Sequence, residues 1–424
     1  MTDFDVMAKA DLVLFIGNAR PPEYQYFKDN SILTGLLHDS HCPIAYPPEG
    51  EFAEVITVDS NAGAARSAFD HLQEKYTIVA QVAAVETAVY DNALLAIHTG
   101  LPAPSLDAAE IALNKPMMRK LFISQLGDDS TSASTIVSNE NDIGTFAEKH
   151  GYPIILKPTN LFGSMFVTKS YSLAELLENY WWMSGEIRAH LDANGRSDEQ
   201  VEIQAETYLD GSSHSVDCVV DGSGTPYPSE IVDVLTERDF GDDRVQHFAR
   251  YAPSALNLEQ QVSCKEFAAA AVRALGLRYC VAHVEFILTS KGPRLLEIAG
   301  RPGGNRVHLM RQVFGIDIMG AYFAALTDQP INIKPLQVKP RAIISVYPAK
   351  SGLFAGIRNV DTIQGLPGYV KHGVRVQKGE PIGPASDGHL PVLSIEISRD
   401  TVTELSDAIK AARVVCSLVD IAPE

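Results

Sequence analysis

The segment His283-Val-Glu-Phe-Ile-Leu-Thr-Ser-Lys-Gly-Pro-Arg-Leu-Leu-Glu297 constrains this chain more than any other. Two apolar-rich runs flank Thr289 to Pro293, a polar stretch with Gly and Pro, and this predicts a β-hairpin. With the hairpin centred on Lys291, Glu285 and Glu297 fall opposite each other on one face, because strand side chains alternate with a period of two. Opposed side chains lie about 5 Å apart at Cβ, so two carboxylates there repel unless a positive charge sits between them. A divalent cation suits: carboxylate oxygens are hard ligands, and Mg2+ is commonly held by protein carboxylates together with substrate phosphates. Arg301-Pro-Gly-Gly-Asn305 follows, where backbone N–H groups can approach an anion with no side chains in the way. The same residues are also compatible with a solvated hairpin whose glutamates pair with Lys291 and Arg294.

A chain of 424 residues is too long for one ordinary core, and roughly three domains are expected. With 46% hydrophobic and 21% charged residues it is globular, not disordered. A formal charge of −18 and the lack of a basic stripe argue against a nucleic-acid partner. The five cysteines, Cys42, Cys218, Cys264, Cys280 and Cys416, are scattered and never spaced Cys-x-x-Cys. They predict neither a zinc site nor a disulfide framework and fit a reducing cytoplasm. No basic region precedes an apolar stretch at the N-terminus and no apolar run approaches bilayer length, so a cytoplasmic protein without membrane contact is expected.

Short apolar runs at 11–17, Pro43–Tyr46, Val55–Val58 and Ile78–Ala83, with a helical stretch at Ala62–Tyr76, predict an N-terminal parallel α/β domain over 1–110, its sheet covered on both faces. Gly17 begins no G-x-G-x-x-G fingerprint. Residues 106–126 read as one helix carrying Lys115. A central region, 111–330, holds shorter strands and hairpins: Ile154–Pro158, Val201–Glu206 and Ser215–Val220, with helices at Tyr171–His190 and Cys264–Leu277. The charged stretch 236–254 reads as a loop that could cover a site. From 331 to 424, runs at Ala342–Tyr347, Tyr369–Val376 and Val392–Ile397 predict a C-terminal β-rich extension closed by a helix at 401–414.

Lys115 and Lys157 are candidates for phosphate contacts, although a Lys at a strand end is also an ordinary snorkelling surface residue. Thr159 to Met165, with Gly163 and Ser164, offers backbone donors and a hydroxyl that can close over phosphates. Glu206-Thr-Tyr208-Leu209 can clamp a planar base between main-chain groups and apolar side chains, or be a plain strand end.

Taken in order, Lys115, Lys157-Pro with its loop, Glu206-x-Tyr-Leu-Asp-Gly, Glu285 in His-Val-Glu-Phe and Glu297-x-x-x-Arg301-Pro-Gly-Gly resemble the ATP-grasp superfamily of carboxylate–amine ligases, over residues from about 110 to 320. The extension resembles that of the L-amino-acid ligases, which make dipeptides, including those of the bacilysin and tabtoxin antibiotic pathways. The resemblance implies a central ATP-grasp fold with a lid subdomain at about 128–210, and ATP with Mg2+, or Mn2+ in its place. It implies small-molecule substrates, an amino acid or other small carboxylic acid plus an amine, and a homodimer. It assigns Lys115 and Lys157 to ATP phosphates, Gly163 and Ser164 to the phosphate lid, and Glu206, Tyr208 and Leu209 to adenine. Glu285 and Glu297 would hold the metal. Arg301 would be the catalytic residue at the tetrahedral intermediate, assisted by N–H groups near Gly303 and Gly304. The activity implied is formation of an amide through an acyl phosphate, releasing ADP and phosphate. A ligase acting on a non-amino acid, and an ATP-binding protein without turnover, are the alternatives.

This chain departs from the family's pattern in three places. Ala299 stands where many relatives have a metal-ligating Asn, and Ser212-Ser213-His214 stands where relatives often have an acidic ribose contact. In the dipeptide branch a Glu-x-x-His before Pro-Ser looks at the first amino acid, and the aligned residues here are His247-x-x-Arg250 before Pro253-Ser254. An acidic or non-amino first substrate is therefore expected; the bland alternative for His247 and Arg250 is a surface ion pair with Asp239, Asp242 or Asp243. His283 reads as packed or supporting, and His308 and Arg311 as solvent-facing or near the second substrate.

Overall fold

A computed structural model of the chain describes residues 9–41, 47–58, 62–159, 161, 165–193, 197–242 and 244–422. Four regions build on one another. The first is β1 (Ala10–Gly17), α1 (Pro21–Asp29), β2 (Leu33–Asp39), β3 (Glu54–Val58), α2 (Ala62–Lys75), β4 (Tyr76–Ala83), α3 (Ala88–Thr99) and α4 (Leu106–Leu113). Its strands are all parallel in the order β3-β2-β1-β4, as the alternating pattern predicts. The run Pro43–Tyr46 lies outside the described residues, and the strand beside β1 is Leu33–Asp39, which the sequence reading passed over.

The single helix expected over 106–126 is two. Pro116 has no N–H and tolerates only a first helical turn. The chain therefore breaks at Asn114, whose side chain accepts from Met117 N to cap α5 (Lys115–Leu126). Lys115 thereby becomes the first residue of a helix. Next comes a small antiparallel sheet in the order β5-β8-β6-β7: β5 (Ser134–Val137), β6 (Ile154–Pro158), β7 (Thr168–Ser170) and β8 (Ile203–Thr207). It packs on α6 (Glu140–His150) and α7 (Leu173–Ala193) around Leu156, Met183, Ile187 and Ala205.

The large sheet starts with β9 (Ser212–Val220), β10 (Pro226–Pro228), β11 (Val232–Thr236) and β12 (His247–Ala252). The expected loop at 236–254 is thus partly strand. After α8 (Leu258–Leu275) come β13 (Cys280–Thr289) and β14 (Gly292–Ala299), the predicted hairpin, then a short helix α9 (Arg306–Leu309) and α10 (Ile318–Leu326). The last region is β15 (Arg341–Val346), β16 (Gly352–Ile357), α11 (Val360–Gln364), β17 (Tyr369–Val374), β18 (Pro381–Ile382), β19 (Leu393–Ser398), α12 (Val402–Ala411) and β20 (Val419–Ala422). β15, β19 and β17 extend the large sheet in the order β14-β13-β9-β11-β12-β15-β19-β17, while β16, β18 and β20 form a separate three-stranded sheet.

Alternation gives the large sheet two unlike faces. Val216, Cys218, Val220, Ala282, Val284 and Phe286 point to α8 and α5 in one apolar core. Ser215, Asp217, His283 and Glu285 point the other way, together with their register partners Glu297 and Ala299. That second face is apolar at Val219, Val281 and Ile343, where it shares a core with α10 and with Phe15 and Val82 of the first sheet. The shared core fixes the loops after β1 and β4 over the polar middle of the large sheet. Among the described residues, no single helix is long and apolar enough to cross a membrane.

Candidate active site

The hairpin places Glu285 directly opposite Glu297, the pairing that the sequence predicts. The turn is tighter than expected, with Thr289 paired to Gly292 around two residues. Neither glutamate takes the solvated-hairpin partners: Arg294 turns away to Asp129 at 3.4 Å. Glu297 instead lies 3.7 Å from the Lys115 ammonium, and Glu285 lies 3.1 Å from His283 Nε2. Their side chains are 27% and 30% exposed. His283 is itself held from behind, its Nδ1 being 2.6 Å from Asp217. Burial opposes charge on His283, but Asp217 and Glu285 outweigh it and raise its pKa. Burial likewise pushes the Glu285 carboxyl up, and His283, His247 and Arg306 overcome that and hold it well below the ordinary carboxylate range. Glu285 is therefore an anion anchored by a supporting His–Asp pair, an arrangement that fixes a metal ligand's orientation.

Lys115 and Lys157 lie close enough for their charges to act on each other. Lys115 Nζ donates to Leu161 O at 3.0 Å and Thr159 O at 3.3 Å, which ties the phosphate-loop candidate to α5. Gly163 and Ser164 lie outside the described residues. Lys157 is paired at 2.8 Å with Glu206, and burial, working against that pairing, pulls its pKa down to about 8. Glu206 is 3% exposed and also meets Arg119 at 3.0 Å and Gln204 at 2.6 Å. Burial would raise its pKa, but Arg119 and Lys157 bring it to about 2. The Glu206 side chain is thus the counter-ion of two buried cations, and what this stretch offers a base is backbone and the half-buried Tyr208 and Leu209. Lys169 sits 4.2 Å over the Tyr208 ring, and Arg238 donates to its hydroxyl.

Arg301 donates from Nε to Glu86 at 2.7 Å, a residue of the loop after β4 and 215 positions away in sequence. Burial would lower its pKa; Glu86 first, then Glu297 and Glu285, raise it, so the guanidinium stays charged beside the carboxylate pair. One expectation is corrected here. The Gly303 N–H is donated to Asp217 at 3.0 Å, so it is not free for an anion, and Gly is needed at 303 because a Cβ would collide with the His283 ring. Gly304 lies against Arg20, from the loop after β1.

His247 and Arg250 are not a surface pair with Asp239, Asp242 or Asp243. Asp239 caps Thr236, Asp242 pairs with Arg244, and Asp243 lies outside the described residues. Arg250 instead donates to His247 Nδ1 at 2.8 Å and to Ser345 Oγ at 3.3 Å. Burial, then Arg250, pulls the His247 pKa to about 3, so the ring is neutral and accepts. His308 and Arg311 serve as ties between regions: His308 lies 3.0 Å from Glu396, and Arg311 donates to Asp29. Ser212, His214 and Asp233 form a hydrogen-bonded row, with contacts of 2.6 Å and 2.7 Å.

Sequence reasoning missed Arg20, Glu86, Arg119, Asp217, Arg306 and Arg375. Arg119 had a signal: it lies one turn after Lys115, next to Met118 on the buried side of α5.

The ATP-grasp domain family matches residues 150–308. The chain is 27% identical over 232 residues to the alanine–anticapsin ligase of Bacillus subtilis, covering 52% of this chain and 48% of that protein. Its alignments thus span 48% and, for another curated relative, 66% of the relatives' own lengths. Its fold is similar to that of an L-amino acid ligase from Bacillus licheniformis, with a TM-score of 0.79 at 17% identity, covering 98% of this chain and 99% of that one. It is also similar to the biotin carboxylase domain of Hydrogenobacter thermophilus 2-oxoglutarate carboxylase, in complex with MgADP, at a TM-score of 0.66 and 16% identity, covering 97% and 90%. Over residues 150–308 this chain is thus similar to the ATP-grasp domain family, and it resembles an alanine–anticapsin ligase in sequence and an L-amino acid ligase in fold.

Proposed function

We propose that this protein is an ATP-dependent carboxylate–amine ligase that joins the carboxyl group of a small acid, in the simplest case an amino acid, to the amine of another amino acid. The observation that carries this reading is the opposed pair Glu285 and Glu297 with Lys115 and Arg301 set against it. Two hard carboxylates that face each other and stay partly open fit Mg2+, whose remaining ligands are normally water and phosphate. When bound, the ion would offset phosphate charge.

The chain's own residues account for the rest. Lys115 and Lys157 supply positive charge to the triphosphate, and Tyr208 with Leu209 and their backbone receive the base. The substrate's carboxylate oxygen attacks the γ-phosphorus, ADP departs, and an acyl phosphate forms. Arg301, half-buried and held by Glu86, stands ready for the negative charge that grows on the acyl oxygen when the amine nitrogen attacks and phosphate leaves. Acyl phosphates hydrolyse, so water must be kept out in between. We assign this role to the loop that contains Gly163 and Ser164, beside which Lys115 donates to the carbonyls of Thr159 and Leu161.

A phosphate-release assay across acid–amine pairs tests the proposal. Phosphate release that requires both partners is expected. ATP binding without release from any pair would instead leave a nucleotide-binding protein.

A further inference from the structure

The polar face of the large sheet carries more positive charge than its carboxylates neutralise. Glu23 is engaged by Arg20, Glu86 by Arg301, Asp217 by His283 and the Gly303 amide, Glu285 by His283, and Glu297 by Lys115. Three guanidiniums form no ion pair with a carboxylate among the described residues, although Glu285 and Asp217 act on Arg306 from beyond ion-pair distance. Arg250 bonds only to the neutral His247 and to Ser345. Arg306 is 3% exposed, gives Nε to Ser215 at 2.9 Å, and leaves its buried Nη2 with no hydrogen-bond partner. Arg375 follows directly on β17 and sits near Arg250 and Tyr347.

These three belong to one place. Ser215, Val234, Arg250 and Ser345 lie on the same sheet face by register, as does the continuation of β17 to Arg375. Burial and then Arg250 pull the Arg306 pKa to about 10. Crowding like charges and leaving a buried guanidinium donor unpaired are both costly, and such costs persist where a ligand repays them. The cluster begins at Ser215, the register partner of Glu285. An acid whose reacting carboxylate meets the γ-phosphate beside Glu285 therefore extends its other end toward Arg306 and Arg250.

We infer that Arg250, Arg306 and Arg375 bind a second anionic group on the acid that is activated, so that the acyl donor is a small dicarboxylic acid. This rests on the ligase reading above. The carboxylate at the reacting end is met by Arg301, and the remote one by three guanidiniums, with His247 holding Arg250 in place as a neutral acceptor. Among the described residues no carboxylate beside these arginines is left unpaired to receive a substrate ammonium, so the inference covers dicarboxylic acids with or without an amino group.

Hydroxylamine traps acyl phosphates as hydroxamates, which isolates recognition of the acid from recognition of the amine. The wild-type protein with MgATP and hydroxylamine is assayed on pairs matched in shape: L-glutamate against L-glutamine, and glutarate against its monoamide. A kcat/KM about tenfold or more higher for the doubly charged member is expected. Equal or better use of the neutral member overturns the inference and leaves the ligase reading standing. Arg375→Gln, at an exposed strand end where folding is not at risk, should bring the ratio toward one, and an unchanged ratio contradicts the assignment. If no acid gives hydroxamate or ADP, the ligase reading fails, and calorimetric titration with glutarate decides the pocket independently. Binding weakened about tenfold by Arg250→Gln supports it, and unaltered binding overturns it.

Discussion

Glu285 and Glu297 face each other because Leu296 is passed over. Near the turn Thr289 pairs with Gly292 and Phe286 with Leu295, and an unbroken ladder would oppose Glu285 to Leu296. Glu297 would then sit beside Val284 on the face packed against α8. The ladder instead shifts between Phe286 and Glu285, and the extra residue returns Glu297 to the polar face. The same device recurs on β12. Leu235 pairs with Ala249 but Thr236 with His247, so Phe248 is extra and His247 lands on the face of Arg250. Two bulges thus re-aim two side chains, Glu297 onto the face of Glu285 and His247 onto that of Arg250.

Removing either charge of the pair should disable turnover. Glu285→Gln and Glu297→Gln keep shape and lose charge, and kcat/KM for ATP-dependent ligation should fall by on the order of 100-fold or more in each. Steady-state ADP formation measures this. A loss below about threefold in both variants would count against the clamp.

His283 should tune metal affinity through Glu285. His283→Gln or Asp217→Asn frees the carboxylate to rotate, and the Mg2+ concentration for half-maximal activity should rise about 10- to 100-fold. A stability signature accompanies this. Because the folded-state pKa of His283 is raised, its ion pairs contribute fully below the ordinary histidine value of 6.5, and that contribution is lost as pH rises through the raised value. Melting temperatures of wild type should therefore drop relative to His283→Gln as pH rises above 6.5.

Glu206 should be the keystone of the buried cluster it forms with Arg119 and Lys157. Glu206→Gln leaves Arg119 and Lys157 buried together without an anion and should cost roughly 3–5 kcal/mol in urea unfolding. The double change Arg119→Met with Glu206→Met should be closer to wild type, since both members of the pair are removed. The depressed pKa gives the pH window. Stability from Glu206 is complete above the ordinary value of 4.5 and is lost as pH falls toward about 2.

Lys157 should make ATP binding weaken in mild alkali. Its ammonium is charged below about 8 and discharges above, so the KM for ATP should climb as pH rises through that value. Lys157→Met should show a high KM at all pH values and no such climb. A wild-type KM that is flat from pH 7 to 9.5 would remove Lys157 from the phosphate site.

Much of the site was legible wherever strand alternation or local chemistry carried it. The two glutamates, Lys157 at a strand end and Arg301 before two glycines stand in patterns that a single stretch of sequence defines. Other parts depend on distant segments. Arg301 finds its partner Glu86 across 215 residues, and Asp217 is recognisable as a support only once β9 lies beside β13. β12 hid because its bulge breaks the two-residue period, and the break at Asn114 was overlooked although Pro116 announced it. The extension looked separate because nothing local reveals that β15 pairs with β12.

The most direct test measures ADP and condensed amide together, by coupled assay and mass spectrometry, for wild type and Glu297→Gln over a matrix of acids and amines. The account predicts one ADP per amide formed in wild type, dependent on both substrates, and neither product above background in the variant. Amide formed by Glu297→Gln at the wild-type rate, or ATP consumed by wild type without an acid present, would contradict it.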